Sequence, residues 1–134
     1  MRVLSLVLLL SACAAPQPAR WDYVTWHGAR IQRDTGIAGQ FRVLVKPGYG
    51  PTEYWCAAGD YAKDELDLGP GERIYLAAPR DNEGVLFSVL SMEEPEGPRG
   101  YSKSLSRPGF SLRVIHARMG CRSLMPFYFD LGRN

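Results

Sequence analysis

The chain has 134 residues, with 16 basic and 14 acidic side chains and a formal net charge of +2. This length allows one domain, and a composition of 46% hydrophobic and 22% charged residues excludes a disordered or collagen-like chain. The longest apolar run is too short for a membrane-spanning helix, which excludes a polytopic membrane protein. Glycine (14) and proline (10) are frequent and favour many turns, and the number of cysteines, 3, is odd.

The first twenty residues have the composition of a secretory signal. Met1-Arg2 is a charged start, Val3–Leu10 is an apolar run, and small residues follow. The segment Leu10-Ser11-Ala12-Cys13 resembles the lipobox of bacterial lipoproteins. That resemblance implies cleavage before Cys13, diacylglycerol on its thiol, and an acyl chain such as palmitate on the new amino group. Alternatively, Ala12-Cys13-Ala14 is an A-x-A site for ordinary signal cleavage, which would release a soluble protein.

The same resemblance predicts where the protein lies. In diderm bacteria, lipoproteins retained at the inner membrane tend to carry an aspartate after the modified cysteine, whereas this chain has Ala14. We therefore expect a protein that is lipid-anchored in the outer membrane and faces the periplasm, with a soluble periplasmic or secreted protein as the alternative. Residues 1–12 are then the signal peptide, residues 13–20 a lipidated tether, and residues 21–134 a single globular domain.

Three strands and a helix are predicted in the first half of this domain. Tyr23–Trp26 and Ala29–Arg33 have the length of short strands, although the spacing of their apolar residues also fits a helix. Phe41–Lys46 alternates apolar and polar residues, as a strand does. Pro51 to about Leu66 is the best helix candidate, because proline suits a first turn and apolar residues recur at helical spacing. Three small helix residues are expected to bring it close to a sheet: Ala57, Ala58 and Gly59.

Three further strands are predicted after the helix. They are Arg73–Ala78, Val85–Leu90 and Ser111–Met119. The second of them is apolar on both faces apart from Ser88, so we place it in the centre of the sheet. The segment Glu93–Gly100 is rich in proline and glycine and is predicted as a loop. Together the elements predict an α+β fold, a mostly antiparallel β-sheet with one helix packed on one face.

Lipidation of Cys13 would leave two cysteines, Cys56 in the helix and Cys121 after the last strand. In an oxidising envelope compartment we expect these two to form a disulfide. Their separation of 65 residues corresponds to about 4 kcal/mol of stabilisation in the chain-entropy model. The alternatives are a metal site or a catalytic thiol–imidazole pair with His27 or His116, but the chain has no C-x-x-C motif to support them.

Three side chains are candidates for chemistry: Asp60, His27 and His116. Asp60 lies in the middle of the predicted helix, and if its face is buried it needs a partner such as an arginine or a backbone amide. His27 is expected in a turn, and His116 on the last strand, on the face shared by Leu112 and Val114. A structural role is expected for all three, so we predict no catalytic, cofactor or metal site.

Charge is unevenly distributed along the chain. Residues 53–96 carry eleven acidic and three basic groups, whereas residues 97–134 carry one acidic and seven basic groups. Six of these cations follow one another without an intervening acid: Arg99, Lys103, Arg107, Arg113, Arg118 and Arg122. They are a candidate surface for an anionic partner such as a phospholipid headgroup or a cell-wall polymer. We favour the alternative that they fold against the acidic middle and their charges cancel. Nucleic acid is not expected as a partner.

The domain carries a second resemblance. Phe41–Val43, Tyr54–Ala62 and Gly84–Ser88 resemble segments of small proteobacterial envelope proteins of unknown function, so this resemblance implies no activity. The expected function is a non-enzymatic binding or structural role in the cell envelope, with an envelope protein or an anionic envelope component as partner. One alternative is a small hydrolase or transferase that acts on envelope polymer. Another is a binding protein like the lysozyme-inhibitor lipoproteins, which are similar in size and anchor, although their glycine- and tryptophan-rich motif is not found here.

Overall fold

Six strands and two α-helices form the part of the chain that the computed structural model describes, residues 22–97 and 103–124. The strands are β1 Tyr23–Val24, β2 Arg30–Gln32, β3 Gln40–Leu44, β4 Arg73–Leu76, β5 Gly84–Ser88 and β6 Ser111–Arg113. The helices are α1 Pro51–Asp64 and α2 Val114–Arg118, and a 3₁₀ helix, Met119–Leu124, follows α2. The predicted signal peptide, the tether with Cys13, and Arg99 lie outside the described residues.

All six strands belong to one antiparallel sheet with the order β1-β2-β3-β5-β4-β6. In the long β3–β5 ladder, Phe41 lies opposite Phe87 and Val43 opposite Val85. Strand β5 lies between β3 and β4, which confirms the prediction that the segment apolar on both faces occupies the interior of the sheet. The ladder brings large apolar side chains together on one face, where cross-strand pairs stabilise a sheet.

Helix α1 covers that apolar face. It begins at Pro51, and the N–H of Gly50 donates to the Glu53 carboxylate at 2.9 Å, which satisfies one of the free amides at the helix start. Its aromatic side chains pack on the sheet, with the Tyr61 ring 4.6 Å from that of Phe41 and the Trp55 ring 4.9 Å from that of Phe87. The predicted α+β class, with one long helix on one face of an antiparallel sheet, is confirmed.

The two short N-terminal strands form a hairpin and not a helix. The Thr25 N–H donates to the Ala29 carbonyl and the Gly28 N–H to the Thr25 carbonyl, each at 2.9 Å. Gly28 has a φ of +86°, a backbone conformation that favours glycine. This tight turn carries Trp26 and His27 and places both side chains beside helix α1, where Trp26 bonds to Asp60.

The prediction of one long strand over Ser111–Met119 is wrong. Strand β6 ends at Arg113, which pairs with Arg73, the first residue of β4. The residues before Arg73 form a turn and not a strand, so the segment after Arg113 has no neighbouring strand with which to pair. The Val114 and Ile115 amides donate instead to the carbonyls of the turn residues Glu72 and Pro70, and the chain continues as α2. Among the described residues, no helix is long and apolar enough to span a bilayer.

Candidate functional site

A polar cluster lies on the side of helix α1 that faces α2 and the 3₁₀ helix. Cys56 and Asp60 are four residues apart and therefore lie on the same face of α1. Cys56 forms a disulfide with Cys121 of the 3₁₀ helix, with a Cα–Cα distance of 5.0 Å, so the predicted disulfide is confirmed. The bond ties α1 to the end of the described chain, and both cysteines are buried.

Asp60 is the centre of the cluster and is 2% exposed. The Arg118 Nε–H donates to its Oδ1 at 2.8 Å, and the Trp26 indole N–H donates to its Oδ2 at 2.6 Å. The His27 Nε2 atom lies 3.4 Å from the same Oδ2. Burial raises the pKa of Asp60, but the hydrogen bonds from His27, Arg118 and Trp26 outweigh it and hold the pKa below its usual range. The expectation that a buried Asp60 requires a partner such as an arginine is confirmed, and the partner is Arg118.

His27 connects this carboxylate to a tyrosine and to the disulfide. Its Nδ1 atom lies 2.6 Å from the Tyr49 hydroxyl, and its Nε2 atom lies 3.4 Å from the Cys56 Sγ. Burial, followed by the charge of Glu53, raises the pKa of Tyr49 to about 12, so its hydroxyl stays protonated at neutral pH. A tyrosine hydroxyl both donates and accepts, and it can therefore hold either tautomer of the imidazole.

The three candidate residues are not brought together. His27 and Asp60 are in contact, and their side chains are 2% and 3% exposed. His116 lies on α2 and is exposed, because Val114 and Ala117 are the residues of that helix turned inward. The expectation that His116 shares a strand face with Leu112 and Val114 is wrong, because the strand ends at Arg113.

Gly59 explains how α2 approaches α1. A Cβ atom at this position would lie 2.8 Å from Arg118 Cγ and 3.0 Å from Ala117 Cβ. Gly59 therefore allows α2 to approach α1 closely. The sequence predicts that Gly59 allows close approach of the sheet, and for this residue the prediction is wrong. This close packing brings Arg118 within reach of Asp60, a contact that helix spacing alone does not reveal.

Five of the six predicted surface cations lie within the described residues, and these five do not all share one environment. Arg118 is bound to Asp60, and Arg107 donates to the Glu96 carbonyl at 2.6 Å.

Two of these cations, Lys103 and Arg107, line an open groove of about 610 Å³. Arg80, from the connection after β4, lines the same groove. The groove is further lined by Pro51, Pro79, Ser104, Leu105, Ser106 and Phe110. Arg113 and Arg122 are exposed elsewhere. Among the described residues, Arg118 forms an ion pair with Asp60, and the charge of Glu53 acts on Lys103.

The wall of this groove is held by the core. The Trp55 indole N–H donates to the Ser104 carbonyl at 3.0 Å, and the Arg80 guanidinium lies 5.0 Å from the centre of the Tyr54 ring. Burial lowers the pKa of Lys103, and the charge of Glu53 opposes that effect. Buried aromatic side chains thus contact one of the groove cations, Arg80, and fix the backbone at Ser104, next to Lys103.

Sequence reasoning missed Trp26, Tyr49 and Arg80 as members of these two sites. A buried Asp60 requires a hydrogen-bond donor. The sequence does not indicate which of its 16 basic residues or 3 tryptophans donates. No family model matches the chain, and no curated protein or solved structure matches it. Function is therefore inferred from the side chains and surfaces of this chain alone.

Proposed function

We propose that this chain is a lipid-anchored protein of the bacterial cell envelope whose domain binds an anionic component of that envelope and catalyses no reaction. The signal-like first segment and the lipobox resemblance at Cys13 support the location. The disulfide between Cys56 and Cys121 also supports it, because such bonds persist in oxidising compartments.

The observation that carries the binding role is the groove next to the start of α1. Three cations, Arg80, Lys103 and Arg107, line one open surface with two serine hydroxyls, from Ser104 and Ser106. Cations and hydroxyl groups are the side chains that contact phosphate oxygens, and a concave surface of one charge concentrates an anionic ligand. An anionic lipid headgroup is the ligand of this class nearest to a membrane-anchored domain.

The cluster around Asp60 supports a structural interpretation of the candidate catalytic residues. Both oxygens of Asp60 accept hydrogen bonds, from Arg118 and Trp26, and the His27 ring is held between Tyr49 and the carboxylate. A general base must be within reach of substrate, whereas Asp60 is 2% exposed. The hydrolase or transferase alternative would require this cluster to open.

The location is tested by expressing the full-length chain in a diderm bacterium and measuring the intact mass of the mature protein. We expect a chain that starts at Cys13, carries the mass of its acyl chains and fractionates with the outer membrane. The Cys13→Ala variant should be soluble, because it loses the acylated thiol and keeps the small residues of an ordinary A-x-A cleavage site. A wild-type chain that starts at Ala15 without lipid would contradict the proposal.

Binding is tested with that soluble Cys13→Ala form and lipid vesicles. We expect cosedimentation with vesicles that contain phosphatidylglycerol but not with pure phosphatidylcholine, and a decline with added salt. The pair Lys103→Ala/Arg107→Ala should weaken binding by roughly 30-fold, since each cation near an anionic surface contributes about 1 kcal/mol.

The matched control also removes two positive charges, with Lys63→Ala and Arg113→Ala, both exposed and outside the groove. It should change the affinity by less than about threefold, because the lost charges do not contact the ligand. Equal losses in the two double variants would show that net charge, and not the groove, attracts the vesicle.

A further inference from the structure

Four metal-ligating side chains meet in the polar cluster: His27, Cys56, Asp60 and Cys121. One ligand atom from each, an imidazole nitrogen, two sulfurs and a carboxylate oxygen, lies within 4.8 Å of all the others. Two cysteines with nitrogen or oxygen ligands are a donor set that zinc(II) prefers. In the disulfide state the sulfurs are bonded to each other and are not thiolate ligands.

The contacts between these atoms already have the size of a tetrahedral site. Ordinary zinc–sulfur, zinc–nitrogen and zinc–oxygen bonds give a tetrahedron whose edges are about 3.4–3.8 Å. The His27 Nε2 atom lies 3.4 Å from the Cys56 Sγ and 3.4 Å from Asp60 Oδ2. The Cys121 Sγ lies 3.5 Å from Asp60 Oδ2. Once the disulfide is broken, separation of the two sulfurs would complete the arrangement.

The groups around the cluster suit a bound cation. Tyr49 lies at the Nδ1 atom of His27, so the Nδ1 proton has an acceptor while Nε2 faces the sulfurs, as in other histidine ligands of metals. Arg118 bonds to Asp60 Oδ1, while Oδ2 accepts from the Trp26 N–H, lies near the Cys121 sulfur and has a second lone pair for a cation. Two thiolates, one carboxylate and one arginine beside a divalent cation give a net charge of zero, which lowers the cost of burying the site.

We propose that reduction of the Cys56–Cys121 disulfide opens a four-ligand site for zinc(II), and that the disulfide and the bound metal are mutually exclusive states of the domain. A dithiol donates two electrons and two protons to the disulfide and is itself oxidised to a disulfide, which leaves two cysteine thiols. Zinc binding releases both thiol protons to solvent and forms two zinc–sulfur bonds, with His27 Nε2 and Asp60 Oδ2 as the other ligands. In the reverse step an exogenous disulfide is the oxidant: it accepts two electrons from the two thiolates and two protons from solvent to become a dithiol, while Cys56 and Cys121 form their S–S bond and zinc(II) is released.

The site is tested with the full chain carrying Cys13→Ala, so that Cys56 and Cys121 are its remaining cysteines. The protein is reduced with a phosphine, which is a weak zinc ligand, and titrated with cobalt(II) without oxygen. We expect one cobalt(II) per chain with the intense visible absorption of a tetrahedral thiolate site, and displacement of that signal by zinc(II). The oxidised protein should give no such spectrum.

The histidines supply a matched pair of variants. His27→Gln removes a ligand and should lower the affinity for cobalt(II) by about tenfold or more, whereas the exposed His116→Gln should leave it within about twofold. If both variants bind as the wild type does, or if the oxidised protein binds equally well, the proposal is wrong. The comparison also separates this site from metal held by thiols in an unfolded chain, where the two histidines would be equivalent.

A second measurement keeps the test decisive if the reduced protein unfolds. Zinc(II) should then restore the circular dichroism of the folded domain, since a cation that binds the folded state stabilises it by mass action. The same addition should protect both thiols from alkylation. Unfolded, readily alkylated protein in the presence of excess zinc(II) would overturn the proposal.

Discussion

Helix α1 has two buried sides, one facing the sheet and one facing α2, and their surroundings differ. Toward the sheet, Trp55 and Tyr61 pack against phenylalanine rings and bury apolar surface. Toward α2, Cys56 and Asp60 are equally buried, but they are surrounded by a histidine, an arginine and an indole N–H. Apolar packing is non-directional and tolerates many neighbours, whereas each polar atom on the other face needs one partner at one distance.

This difference predicts which face tolerates substitutions and which face depends on particular side chains. The sheet face would survive the exchange of one apolar side chain for another of similar volume. The polar face depends on residues from four segments of the chain, carrying His27, Tyr49, Asp60 and Arg118. Variants on the two faces should therefore differ in the size of the loss in unfolding free energy and also in the interaction that is lost.

The largest effect is expected on the apolar face, from Trp55→Ala. Trp55 is fully buried, so the change leaves a cavity and also removes the hydrogen bond to the Ser104 carbonyl. The free energy of unfolding in urea should fall by about 3–5 kcal/mol. The exposed Ile37→Ala is the control and should change it by less than about 0.5 kcal/mol. A loss of under about 1 kcal/mol at Trp55 would show that this face is not the main core.

A smaller but more specific effect is expected on the polar face, from Asp60→Ala. The change leaves His27 buried without the carboxylate, while Arg118 is partly exposed and regains water. We expect a loss of about 1–3 kcal/mol in the free energy of unfolding. Asp64→Ala, one turn further along the same helix and exposed, should be neutral or slightly stabilising, because an acid near a helix C-terminus is unfavourable. Equal effects of the two variants would show that the buried contacts of Asp60 contribute no more to stability than an exposed aspartate of the same helix does.

The apolar face could be predicted from the sequence, but the polar face could be predicted only in part. Pro51 and the helical spacing of the apolar residues after it indicate α1. If Cys13 is lipidated, Cys56 and Cys121 can form only one disulfide. The partners of Asp60 lie 34 and 58 residues away along the chain, and their selection depends on how α2 is placed. That placement depends on where β4 begins, which decides that the chain leaves the sheet at Arg113. Periodicity within Ser111–Met119 contains no information about the length of its partner strand.

A third test combines acid with the Asp60→Asn variant to isolate the contribution of Asp60. Because the folded-state pKa of Asp60 is lowered, the unfolded chain takes up this proton first as the pH falls. Its contribution is therefore complete above about pH 4, the usual range of an aspartate, and is lost progressively below it. The difference in unfolding free energy between wild type and Asp60→Asn should be constant from about pH 5 upward and should narrow toward about pH 2. A difference that stays unchanged over that whole acidic range would contradict the assigned pKa direction.

The smallest effect is expected from Trp26→Phe, which keeps an aromatic ring and removes only the indole N–H. Trp26 is 54% exposed, so most of its surface contributes little to the core, but its N–H donates to a buried carboxylate at 2.6 Å. We expect a loss of about 0.5–1.5 kcal/mol, measured by urea unfolding. Combined with Asp60→Ala, the same change should cost almost nothing, because its acceptor is already gone. Additive losses in that double variant would mean that Trp26 acts through surface burial and that the polar face extends no further than Arg118 and His27.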